Sequence, residues 1–162
     1  MNEDNLKTFI YVTQQFCCVL IPDLDKNGNL REGIHRASWD EIQKRYGYNE
    51  YRRKLLDGLL IALYSLKSAG CKIVYLDGSF ITVKRYPRDF DCVWDVNCVD
   101  PKRLHRIFQE SSERQKFVFG GEFYPTSIIE GLSNSPFLEF FQTDKETLER
   151  KGIIMINLGD LP

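Results

Sequence analysis

Residues 72–96 read KIVYLDGSFITVKRYPRDFDCVWDV, and this stretch decides the fold. KIVYL (72–76) is a short apolar, β-branched run of the kind that forms a buried strand. It ends in a turn, Asp77-Gly78-Ser79-Phe80, and nine residues then separate Ser79 from Asp89. DFDCVWDV (89–96) alternates: Asp89, Asp91, Val93 and Asp95 share one face, and Phe90, Cys92, Trp94 and Val96 share the other. That period of two predicts a second strand.

Working outward, Asn49 caps a helix over residues 50–69. Leu55, Leu56, Leu59, Leu60, Leu63 and Leu66 give it a broad apolar face, and Gly70 stops it. Ser38-Trp39-Asp40-Glu41 matches a capping box and opens a shorter helix to about Tyr46. PDLDKNGNLREG (22–33) is a turn-rich connection, and FIYVTQQFCCVL (9–20) fits a strand or a short helix equally. Downstream, Asp100-Pro101 has the form of an N-cap followed by proline and predicts a helix to about Glu113. KFVFGGEFYPT (116–126) predicts a strand with a Gly-Gly bend. SPFLEFF (135–141) and TDKETLERKG (143–152) predict short helices, and IIMINL (153–158) a last strand. The expected fold is α+β: one domain over residues 1–162, with a small central mixed β-sheet and helices packed on it.

Bulk composition narrows the function classes. The chain has 162 residues, with 43% hydrophobic and 13% aromatic residues, enough for a packed core and too apolar for disorder. The formal net charge is −1, so no global positive field draws the chain to nucleic acid or an anionic membrane. Five cysteines (17, 18, 71, 92 and 98) form no Cys-x-x-Cys pair and match neither a zinc site nor a disulfide framework. Reduced thiols, an acidic start without a signal-peptide pattern and no 20-residue apolar run predict a cytoplasmic protein with no membrane partner.

The chemistry concentrates in residues 78–91. Gly78 allows a tight turn and close approach to a ligand. The backbone after it, with the Ser79 hydroxyl, suits phosphate oxygens. Asp89 and Asp91, two apart on a strand, aim two carboxylates at one point, a hard-oxygen site for Mg²⁺ or Mn²⁺. Lys84, Arg85 and Arg88 lie in the intervening loop, where triphosphate charge would sit. Lys84 and Arg88 are therefore candidate nucleotide-binding residues beside Gly78 and Ser79.

This pattern resembles the DNA-polymerase-beta-type nucleotidyltransferase superfamily: Gly followed by Gly or Ser, a gap of about ten residues, then Asp-hydrophobic-Asp/Glu-hydrophobic. Gly78-Ser79 and Asp89-Phe90-Asp91-Cys92 fit it. GIHRASWDEI, YLDGSF, DFDCVWD, FGGEFYP and FLEFFQTDKETLERKGI also look like a bacterial family of small stand-alone nucleotidyltransferase-like proteins of unassigned function, over roughly residues 20–160. The resemblance implies transfer of a nucleotidyl group from an NTP, with Mg²⁺ or Mn²⁺ on Asp89 and Asp91, to a hydroxyl on a protein, an RNA or a small molecule. It also implies a third carboxylate from a later strand. Glu122, next to Gly120-Gly121, is the candidate, because Asp95 lies two β-steps of about 6.6 Å each beyond the pair. The chain departs from the pattern at Asp77, where an apolar residue is usual. The alternative is a catalytically inactive interaction module of the same fold, nucleotide-binding or antitoxin-like.

Other signals carry less. Asp23-Leu-Asp25-Lys-Asn27-Gly28-Asn29 mimics the start of a calcium loop, but its twelfth position is Ile34 instead of a bidentate glutamate. His35 and His105 are the only histidines, so a histidine-based metal site or triad has no support. The alternating charges of 145–151 read as an exposed helix face.

Overall fold

A computed structural model describes residues 21–162. The 9–20 segment, with Cys17 and Cys18, lies outside the described residues. Among the described residues five strands form one mixed sheet: β1 (Gly33–Arg36), β2 (Ile73–Asp77), β3 (Phe90–Trp94), β4 (Gly121–Pro125) and β5 (Gly152–Asn157), in the order β1-β5-β2-β3-β4. The central pairs β5–β2 and β2–β3 are antiparallel, and the outer pairs β1–β5 and β3–β4 are parallel. The α+β class and the mixed sheet agree with the sequence reading. So does the adjacency of the two strands flanking the Gly-Ser turn.

One face of the sheet carries the main core. Helix α1 (Trp39–Tyr46) begins with the expected capping box: the Ser38 side chain accepts from Glu41 N–H, and the Glu41 side chain accepts from Ser38 N–H. Helix α2 (Glu50–Ser68) is capped by Asn49, whose Oδ1 accepts from Arg52 N–H at 2.8 Å. Its leucines 55, 56, 59, 63 and 66 pack with Val74, Leu76, Phe90 and Cys92, the apolar faces of β2 and β3. The opposite face is covered more thinly. There Val93 and Ile153 meet Phe141 of the short helix α4 (Phe137–Phe141), with Tyr75, Tyr124 and Phe137 around them.

Three expectations are corrected. The helix predicted from Asp100 does not form. Asp100 instead closes a turn, its carboxylate accepting from Lys102 N–H, and the chain reaches only a 3₁₀ turn at Arg106–Gln109. Leu104, Ile107 and Phe108 are too few apolar positions to hold a longer helix on the core. The strand predicted from Lys116 is a helix over its first part: α3 runs Ser112–Phe119 and β4 begins only at Gly121. Aromatic and β-branched residues in KFVF favoured a strand, but α3 packs on β4 and α2, and this tertiary contact overrides propensity. Gly120 makes the reversal possible. It sits at φ 83° in the left-handed region and its N–H closes on the Lys116 carbonyl. The helix predicted over 143–152 is a turn, because the Asp144 carboxylate accepts from Glu146 N–H, Thr147 N–H and the Thr147 hydroxyl. Such local bonds compete with helix formation.

The loop between Gly78 and Asp89 is anchored from below. Arg52 is fully buried in α2. Its Nε donates to the Tyr46 carbonyl at 2.6 Å, Nη1 to the Lys84 carbonyl at 2.8 Å, and Nη2 to the Phe80 carbonyl. The guanidinium also lies over the rings of Phe80 and Tyr48, 4.4 and 4.9 Å from their centroids. Arg52 therefore joins the helix layer to the loop behind the Gly-Ser turn. Removing it orphans three carbonyls, each worth about 1–3 kcal/mol when buried and unpaired. Arg52→Met is expected to lower the unfolding free energy by about 3 kcal/mol or more in urea titrations, and an unchanged midpoint would show that water replaces the guanidinium freely.

Candidate functional site

The sheet register, not the sequence spacing, assembles the site. Asp77 ends β2 and pairs with Asp91 on β3, and Asp91 pairs with Glu122 on β4. Three carboxylates therefore stand abreast on neighbouring strands, about 4.8 Å apart along the hydrogen-bonding direction. Asp89 precedes β3 by one residue and completes the group. Asp89, Asp91 and Glu122 thus lie near one another in the fold, with Asp77 beside them.

Four acids in so small a space repel unless compensated, and two lysines from other elements compensate three of them. Lys116, on the last turn of α3, places its Nζ 2.8 Å from Asp89 Oδ2 and 2.9 Å from Glu122 Oε1. Lys151, just before β5, places its Nζ 2.5 Å from Asp77 Oδ1. The other Glu122 oxygen accepts from the Tyr124 hydroxyl at 2.6 Å. Among the described residues no ion pair reaches Asp91.

The charges respond accordingly. Burial, then the neighbouring charges of Asp89, Asp77 and Glu122, push the Asp91 carboxyl up to about 7. Burial also raises Asp77, against the pull of Lys151. For Glu122, burial works upward, but the Tyr124 hydroxyl and the Lys116 ammonium outweigh it and hold the carboxyl below its usual range. Asp89 and then Glu122 keep the Lys116 ammonium charged to well above the usual lysine range.

Gly78 lies against this group. Its φ is 83°, and a Cβ there would come within 2.3 Å of Asp91 Oδ2. Only glycine lets the turn approach the carboxylate so closely. Ser79 opens a single 3₁₀ turn, Ser79–Ile81. Gly78, Ser79, Asp77, Asp89 and Asp91 all line an open cavity of about 580 Å³. Its far wall is the 143–147 turn with Phe140, Phe141 and Lys151, and its rim is Asn27-Gly28-Asn29. These two walls are tied together, Asn29 Nδ2 donating to Asp144 Oδ2 at 2.8 Å.

Not every candidate joins this cavity. Glu122 stands beside Asp91 but does not itself line it, and Lys84 and Arg88 are exposed and do not line it either; the Lys84 carbonyl accepts from Arg52. Asp95 turns away, its carboxylate accepting from Asn97 N–H at 3.0 Å. Four residues escaped the sequence reading. Lys116 was hidden by the strand assignment of its segment. Lys151 and Lys145 were absorbed into what read as an exposed helix face. Asp77 stood out in sequence only as a departure from the superfamily pattern.

The residues are chemically suited to a divalent cation, since carboxylate oxygens are its preferred donors and the group already holds a cationic ammonium between two of them. As they stand, no three His, Cys, Asp or Glu side chains among the described residues are gathered as a metal site. Residues 22–157 match the model of a family of unknown function, DUF6932. The chain belongs to that family. No curated protein and no solved structure matches it. No helix among the described residues is long and apolar enough to cross a membrane.

The crowding gives a signed pH dependence. The Asp91 carboxyl titrates near 7 when folded and near about 3.9 when unfolded, so its proton stabilises the fold below about pH 4, and that stability is lost as pH rises to about 7. Without added metal, Asp91→Asn is expected to melt several degrees above wild type at about pH 8, the gap closing towards about pH 4. Asp89→Asn, which removes a Lys116 partner, is expected to show no such gain. Thermal melts by circular dichroism across pH check both. A lower melting temperature for Asp91→Asn at the alkaline end would mean that the ionised carboxylate is structural.

Proposed function

We propose that the chain is a metal-dependent nucleotidyltransferase, moving a nucleotidyl group from an NTP to an acceptor hydroxyl. One observation carries the reading: the Gly78-Ser79 turn and the Asp89, Asp91 and Glu122 carboxylates, distant in sequence, meet at one place on the sheet. A phosphate cradle and a carboxylate platform side by side are what phosphoryl-group transfer requires. The nucleotidyltransferase-like character of the fold and the cytoplasmic location belong to the same proposal; the unpaired thiols of Cys71, Cys92 and Cys98 support the latter.

In this reading the triphosphate enters the cavity with its phosphates against the Gly78-Ser79 backbone and the Ser79 hydroxyl. Lys145 and Lys151, which line the same cavity, supply positive charge to it. Asp89 and Asp91, with Glu122 completing the site, would hold Mg²⁺ or Mn²⁺, which would neutralise the phosphates and the charge that develops on the leaving group. The acceptor oxygen forms its bond to the α-phosphorus while the bond from that phosphorus to the bridging oxygen breaks and pyrophosphate leaves. The hydroxyl proton passes to a carboxylate, for which Glu122, beside Asp91 in the strand register, is the candidate. The acceptor is a protein, an RNA or a small molecule.

A second reading is favoured by one specific contact. Lys116 already neutralises Asp89 and Glu122, as in a domain that keeps the fold as a non-catalytic, nucleotide-binding or antitoxin-like interaction module. Incubation with α-phosphate-labelled NTPs, Mg²⁺ or Mn²⁺, and cell extract separates the two. Wild type is expected to label an acceptor, and Asp91→Asn to lower the rate by about two orders of magnitude or more with the fold intact. Equal labelling by both proteins, or no nucleotide binding by calorimetry with either metal, would favour the interaction module.

A further inference from the structure

We propose that Lys116 is a built-in gate on the carboxylate cradle: its ammonium occupies the place between Asp89 and Glu122 that a divalent cation must take, and metal enters only when Lys116 leaves. This rests on the metal-dependent reading above and says how that site is regulated.

The geometry is that of a cation already bound. Lys116 Nζ lies within 2.8–2.9 Å of one oxygen from each of two carboxylates, contributed by the start of β3 and by β4. A metal ion on the same oxygens would stand about 2.1 Å from each, so ion and ammonium cannot share the locus, and their like charges oppose it further. The cradle is also built to keep its shape. Glu122 is fixed on its other side by the Tyr124 hydroxyl, and its side chain is only 12% exposed. Asp91 is set beside Glu122 by the strand register. The lysine, by contrast, can leave. It is 41% exposed along its side chain and rises from the last turn of a helix whose next residues, Phe117 and Val118, face solvent. The cavity beside it, where triphosphate oxygens would lie, offers the released ammonium new partners. The gate therefore favours metal arriving together with a nucleotide over metal alone, which suppresses idle metal binding.

The test reads metal affinity with no nucleotide and no acceptor. Mn²⁺ is titrated into the full chain, and free Mn²⁺ is followed by electron paramagnetic resonance. Lys116→Met and Lys116→Gln remove the ammonium; glutamine keeps a polar group near both carboxylates and serves where methionine fails to fold. Both are expected to bind Mn²⁺ about tenfold more tightly than wild type, the order of effect of deleting one adjacent unit charge at a partly exposed site. Lys116→Arg, which keeps the charge, is expected to bind no more tightly than wild type. Adding Glu122→Gln to either neutral variant is expected to abolish the gain. Affinity in the neutral variants within about threefold of wild type, a gain that survives Glu122→Gln, or no Mn²⁺ binding by any variant would overturn the gate. The two readings fail separately. A chain that shows the gain and transfers no nucleotide keeps the gate and loses the transferase, whereas one that transfers nucleotide without the gain loses only the gate.

Discussion

The arrangement of this site follows from one electrostatic constraint. Strand register sets Asp77, Asp91 and Glu122 abreast on three adjacent strands, with Asp89 at the entrance to the middle one. In an ordinary sheet, acids directly opposite one another are destabilising. Here the cost is met from outside the three strands: Lys116 arrives from a helix and Lys151 from the approach to β5. The positions of both elements are tied to this balance. Helix α3 must end over the β3–β4 edge, which Gly120 permits by reversing the chain in the left-handed region. The chain entering β5 must pass the end of β2, which the antiparallel β2–β5 pairing ensures. Asp91, which no ion pair reaches among the described residues, meets the field by holding on to its proton to a higher pH.

The second support is mechanical. A loop that carries a glycine turn against a carboxylate is useful only if it stays there, and Arg52 holds it by two of its carbonyls, with a third carbonyl from the end of α1. Arginine is suited to this because its planar fork satisfies several acceptors at once while stacking on aromatic rings. Among the described residues the buried cation has no carboxylate partner. It is neutralised by carbonyl dipoles and the faces of Phe80 and Tyr48, so it strengthens the loop without entering the charge balance of the site.

Much of this was legible in sequence, and the limits have physical causes. The two strands around Gly78-Ser79, the leucine-faced helix and both caps are local features, and each is specified within a few residues. The meeting of Asp89, Asp91 and Glu122 was legible because alternation on a strand fixes a face and a Gly-Gly bend marks a close approach. Lys116 was not. KFVF has strand-like composition, and only the packing of that segment on α2 and β4 makes it helical, which turns Lys116 towards the acids. Lys151 was missed for a related reason. The 143–152 segment has helical charge spacing, yet Asp144 spends its carboxylate on backbone N–H groups and folds it into a turn that lines the cavity. Asp77 required knowledge of register, since nothing local says that β2 ends level with Asp91.

These misses share a location. The helix-like segment that became a turn and the strand-like segment that became a helix both border the carboxylates, and the buried Asp77 sits among them. Away from the site the one departure is the Asp100-Pro101 start, which leads only to a 3₁₀ turn, while in α1, α2 and β5 local preference and final structure agree. Sequences depart from local consistency where another requirement overrides stability. A sheet end optimised for stability alone would carry an apolar residue at position 91, as at Val93 two residues on, and would need neither lysine. The chain instead keeps a carboxylate there that is destabilised at neutral pH, presses a glycine against it and surrounds it with an open cavity. Concentrated strain of this kind, bounded by well-packed elements on the other face of the same sheet, is the physical argument behind the proposed site.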